Sequence, residues 1–135
     1  MSIGTGVVTL LQAQSPITGL LKTPASIYTD KTDQSGGMSY LVVTQLHEDP
    51  YKTLSGTSGM RKAELDIDCV ASSRPKADAL ADAVDSFIKD YAGAAGASTI
   101  RAVLLNDRAY DLIPIGQGTE NYKFVTTLNV EIQYD

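Results

Sequence analysis

The sequence predicts an α+β domain in which an antiparallel sheet of about four strands carries helices packed on one face. Three observations lead there. Residues 60–71 and 122–134 alternate apolar and polar side chains over strand-like lengths, and residues 74–91 carry an apolar stripe at helical spacing. The elements also run helix, strand, strand, helix, strand, strand, with no repeated strand–helix–strand unit that would build a parallel sheet. The chain has 135 residues, which suits one hydrophobic core, so residues 1–135 are read as a single domain.

The first element is a short helix. Val7, Val8, Leu10 and Leu11 fall on one helical face between Gly4-Thr5 and Pro16. Residues 14–37 follow as a long irregular connection, with two prolines and the turn-rich run Asp30 to Gly37. Residues 38–46 (MSYLVVTQL) are rich in β-branched and aromatic residues and too short for a typical helix, so they form a strand. Residues 47–59 (HEDPYKTLSGTSG) contain Asp49-Pro50, Gly56 and Gly59 and exceed a tight hairpin connection, so they are expected to project as a loop. In the next strand Ala63, Leu65, Ile67, Cys69 and Ala71 share a buried face, while Lys62, Glu64, Asp66 and Asp68 share a wet one.

Ser72-Ser73 can cap a helix that starts near Arg74-Pro75, because a proline in the first turn gives up an amide that has no intrahelical partner. Its stripe is Ala77, Leu80, Ala81, Val84, Phe87, Ile88 and Tyr91, and Gly93 ends it. Residues 99–105 read as a strand, residues 108–113 as a separate short segment, and residues 122–134 as a long final strand. In that strand Phe124, Thr126, Leu128, Val130, Ile132 and Tyr134 share one face.

Charge and cysteine content exclude several functions. Eleven Lys and Arg against 16 Asp and Glu give a net charge of −5, with no basic run, which disfavours a phosphate-binding surface. One cysteine permits neither an intrachain disulfide nor a multi-cysteine zinc site. Residues 1–21 carry no charge, but they lack the basic start and long apolar centre of an export signal. No stretch approaches the roughly 18 apolar residues of a membrane span, so a soluble protein with no membrane partner is expected.

Catalytic chemistry finds little to use. Cys69 lies on the apolar strand face and reads as an inert core thiol, and His47, the single histidine, reads as a surface residue. The glycine-rich stretches at 93–98 and 116–121 lack the lysine, the third glycine or the following helix of a phosphate cradle. Gly56-Thr57-Ser58-Gly59 is one residue short of a nucleophile elbow. Asp66 and Asp68 share a strand face and could hold a divalent cation, but a solvated face is the plainer reading, and no metal or cofactor is expected. Tyr51 in the projecting segment and Tyr122 at a strand entrance suit an interface, with Leu54 as a second apolar anchor beside Tyr51.

The order of segments resembles the tail-completion, or tail-terminator, proteins of long-tailed bacteriophages. The resemblance rests on MSYLVVTQL, the Gly/Ser-rich segment after it, RKAELDIDCVASS running into KADALADAVDSFIKDY, and the closing NYKFVTTLNVEIQYD, so it spans residues 38–135 and is weaker over 1–37. It implies a virion protein made in the host cytoplasm and placed in the tail-neck region. Such a protein caps the head-proximal end of the tail tube as a hexameric ring, ends tube growth and joins tail to head. The implied partners are further copies of the chain, the tail tube protein and a head-tail connector or head-closure protein, with DNA passing through the ring without specific binding. The resemblance implies no catalytic residues and no cofactor. Three other readings stay open: another neck or tube component, a small enzyme using Asp66 with Asp68, and a monomeric binding module for a small ligand.

Overall fold

In the computed structural model, which describes residues 3–21, 27–29, 39–53, 56–89, 91–96, 98–114 and 122–135, one curled sheet wraps around its helices. The elements in chain order are α1 (Ile3–Gln12), α2 (Ser15–Thr18), β1 (Ile27–Thr29), β2 (Tyr40–Thr53), β3 (Gly56–Ala71), α3 (Arg74–Ile88), β4 (Gly93–Ala95), β5 (Ser98–Pro114) and β6 (Tyr122–Tyr134). The sheet order is β1-β2-β3-β6-β5-β4. Four long strands, β2, β3, β6 and β5, pair antiparallel with one another, as the sequence suggests.

The expectation of about four strands falls short. Two three-residue strands flank the long ones, and β1 lies parallel to β2. Neither is long enough to show a period, and β1 sits inside the stretch read as a continuous connection. That stretch also holds α2; the rest of residues 22–38 lies outside the described residues.

The core is built from the alternation. Ala63, Leu65, Ile67 and Cys69 of β3 and Leu128, Val130 and Ile132 of β6 are fully buried beneath Leu80, Ala81, Val84 and Ile88 of α3 and Val7 and Leu11 of α1. α1 packs against β1 and β2 at one edge and against β4 at the other, so the curl of the sheet brings both edges to it. The approach to β4 is close at Gly6, where a Cβ would meet the carbonyl oxygen of Ala95 at 2.5 Å.

α3 begins as the sequence indicates. Ser73 has extended backbone, and its Oγ accepts from the Lys76 amide at 3.4 Å. The helix stops at Ile88, so Tyr91 lies beyond it, with its ring 5.3 Å from that of Phe87 and its hydroxyl donating to the Ala94 carbonyl at 2.5 Å.

Two loop readings are corrected. Residues 47–53 and 56–59, expected as an irregular projecting loop, belong to β2 and β3, which pair as far as Thr53 opposite Gly56. Register shifts between Gln45 and His47 and between Pro50 and Lys52 absorb the irregularity, and a bulge beside an edge-strand proline is where strands tolerate one. Pairing of β3 with β6 ends at Arg61 opposite Tyr134, so among the described residues Gly56–Met60 has β2 alone beside it. Likewise residues 99–105 and 108–113 are one strand, β5, with a register shift between Leu105 and Asp107 where two segments were expected. There the Asp107 carboxylate accepts from the Arg108 amide at 2.8 Å.

Candidate functional site

With helices filling one face of the sheet, the opposite face carries a small buried apolar cluster, Tyr40, Val42, Val70 and Val125, and beside it a run of polar side chains. Cross-strand register places Glu64, Asp66 and Asp68 of β3 in line with Glu131, Asn129 and Thr127 of β6; Asp107 of β5 extends the Asp66–Asn129 row, and Asp111 lies on the same face in the row beyond Thr127, opposite Val125. Lys62, Lys123 and His47 are the basic groups on this face among the described residues, fewer than its carboxylates, so the face is acidic.

Asn129 is its centre. Its amide donates to Glu64 Oε1 at 3.0 Å and to Asp66 Oδ1 at 2.8 Å, and its own oxygen accepts from Asn106 at 3.2 Å. Thr127 donates to Asp68 Oδ1 at 2.6 Å, and His47 Nε2 lies 2.6 Å from Glu64 Oε2. The Asn129 bond, followed by that of His47, holds the Glu64 carboxyl below its ordinary range. Asp68 goes the other way: partial burial pushes it up against the Thr127 bond, and Asp66 and Asp111 add like charge.

A carboxyl whose folded pKa is raised favours the protonated native state, so its contribution is present below the unfolded pKa and lost as pH rises through the folded value. Asp68→Asn, which keeps an oxygen for Thr127, is therefore expected to raise the melting temperature at pH 7 and to leave it unchanged near pH 3. Thermal unfolding at the two pH values checks this; equal shifts at both would contradict it.

The second feature is a tie between helix and sheet that sequence reasoning missed. Arg74 donates to the Val125 carbonyl at 3.0 Å, to Thr126 Oγ1 at 3.1 Å and to the Asp111 carbonyl at 2.8 Å, and it lies 5.4 Å from the ring centres of both Tyr110 and Phe124. Thr126, fully buried, donates a hydrogen bond to Asp78 Oδ1 at 2.9 Å. Arg108 reaches Asp82 at 2.8 Å and Asp78 at 3.8 Å. The outer strand β5 is thus clamped to α3 through side chains whose sequence separation gave no local signal.

The third feature is exposure along β5. Leu104, Leu105, Tyr110, Leu112 and Ile113 are between 40% and 59% exposed, although each is a large apolar side chain.

The residues singled out from sequence do not converge. Tyr51 lies in the outer part of β2, and Tyr122 opens β6 opposite Pro114, at the other end of the sheet. Leu54 lies outside the described residues. Asp66 and Asp68 share a face as expected, but they are engaged with Asn129 and Thr127 respectively. Cys69 is fully buried, and burial pushes its thiol far above the ordinary range, so it supplies no thiolate. His47 is half exposed and pairs with Glu64.

A family model described as Tail completion protein gp17 matches residues 5–112. No curated protein matches the chain significantly. Among solved structures, the chain is similar to one described as "Virion of native gene transfer agent (GTA) particle", with a TM-score of 0.67 and 12% identity over 98% of this chain and 94% of that one. At that identity the likeness is one of fold.

Proposed function

The chain belongs to the tail completion protein gp17 family, and from that premise we propose that it caps the head-proximal end of a tail tube as a hexameric ring, ending tube growth and joining the tail to the head. The family match over residues 5–112 carries this reading. The geometry supports a structural role, because its conspicuous features are surfaces: an acidic sheet face and an apolar outer strand.

In the proposed ring the face bearing Glu64, Asp66, Asp68 and Glu131 turns toward the axis. Carboxylates there repel phosphates, so DNA passes without being held. The ring sits in the neck of the virion, between the tube protein and a connector or head-closure protein. Tyr51, Leu54 and Tyr122 are proposed contact residues, Tyr51 and Tyr122 toward different neighbours because they stand at opposite ends of the sheet.

Tails assembled with and without the protein test the reading. Omission is expected to give tails of uncontrolled length that fail to join heads; normal, joined tails would overturn it. Within the same assay His47→Ala is expected to join heads normally. Cys69→Ser should lose about 1–2 kcal/mol of stability by placing a hydroxyl in an apolar site, read by denaturant unfolding, while retaining joining. Loss of joining by a normally folded His47→Ala would assign that residue a role it lacks here.

A further inference from the structure

We propose that the outer edge of β5 in one copy docks against the outer edge of β2 in the next, so that the antiparallel sheet continues from subunit to subunit. This rests on the ring reading above. β4 flanks β5 only at Ser98–Ile100, and β1 flanks β2 only at Leu41–Val43. Beyond those stretches no other strand among the described residues lies along either outer edge. Of the seven exposed large apolar side chains among the described residues, six lie on these two strands: Leu46 on β2, and Leu104, Leu105, Tyr110, Leu112 and Ile113 on β5. An open edge on a strand with exposed apolar side chains, as on β5, invites pairing, while β2 offers Leu46 beside an edge interrupted by Pro50 and two register shifts, which keeps it from pairing with an arbitrary strand.

The occupant follows from topology. A ring needs a head-to-tail interface whose two halves are different surfaces on opposite sides of the subunit. β2 and β5 are the outer long strands on opposite sides of the sheet. Four antiparallel strands in the order β2-β3-β6-β5 leave β5 running opposite to β2. Copies related by rotation keep their strand directions, so β5 beside the next β2 is again an antiparallel pair. The two open stretches are offset along the strand direction. Val43, Ile67, Leu128 and Arg108 form one row across the sheet, so the open part of β5 is centred level with the point where β1 stops covering β2. Joining the stretches therefore requires a shift along the strands, which is the stagger that tilted strands adopt when a sheet closes on itself.

The test uses the full chain in three variants, Leu112→Arg, Leu46→Arg and the control Leu20→Arg, an exposed leucine that belongs to neither strand. Sedimentation over a concentration series and occupancy of tail ends are the readouts. Leu112→Arg and Leu46→Arg are each expected to melt like the wild type and to assemble on the order of tenfold more weakly or worse, while Leu20→Arg assembles normally. Mixed together, the two edge variants retain one intact β5 edge and one intact β2 edge, so they should form pairs that cannot close a ring. Should Leu112→Arg fail to fold, Ile113→Arg takes its place. Normal assembly of either edge variant, or a mixture no better than either variant alone, would overturn the edge pairing. A wild-type chain that forms no ring in solution or on tails would overturn the ring reading itself.

Discussion

Leu128→Ala is expected to destabilise the subunit by about 2–5 kcal/mol, the range for emptying a fully buried leucine site whose neighbours relax only in part. Leu128 is fully buried at the middle of β6, directly between Ile67 of β3 and Arg108 of β5, and α3 packs over its strand. None of these elements can collapse into the space without breaking register on both sides. At roughly 3–5 °C per kcal/mol for a domain of this size, the melting temperature should fall by about 6–25 °C. Leu128→Met, nearly volume-conserving, should lose less than about 1.5 kcal/mol. A drop for Leu128→Ala no larger than that for an exposed leucine such as Leu112→Ala would show that β6 is not the centre of the core.

Gly6→Ala should destabilise the fold, inverting the usual sign for this exchange inside a helix. Alanine in place of glycine ordinarily gains up to about 1 kcal/mol in a helix interior. Here the added methyl would stand 2.5 Å from the Ala95 carbonyl oxygen and 3.0 Å from its carbon, both backbone atoms held by pairing of β4 with β5. Either α1 lifts from the sheet edge or β4 moves, at a cost of about 1–3 kcal/mol, and Gly6→Val should be worse. Thermal unfolding of the two variants checks this; a stabilised Gly6→Ala would mean that α1 and β4 do not meet so closely.

The parts of the fold legible in the sequence are those in which one residue period persists. The alternation from Ala63 to Ala71 and from Phe124 to Tyr134 marks the buried faces of β3 and β6 directly, because every second side chain must leave water. The α3 stripe and its Ser73 cap are legible for the same reason. Where composition and pairing disagree, composition misleads. Pro50 and the surrounding polar residues read as a loop, yet β2 is an outer strand there, and the adjacent register shifts let the chain stay in the sheet.

The same holds at Asn106 and Asp107, where a polar pair reads as a break and the chain makes a bulge. The acidic face was visible as alternation, but its organisation by Asn129 depends on which strand lies beside β3, and that neighbour is 63 residues away in the chain. The Arg74 clamp is invisible for a similar reason, because its acceptors lie on β5 and β6. The exposure of Leu104, Leu105 and Leu112 on β5 has no signal in the sequence, since sequence period alone does not say that a strand is outermost.

Symmetry-averaged electron microscopy of tails joined to heads tests the central claim most directly. A single hexameric ring of this chain is expected at the head-proximal end of each tail tube, with the face of Glu64, Asp66 and Asp68 toward the channel. Density for the chain repeated along the tube, confined to the distal tip, or absent from the joint would contradict it.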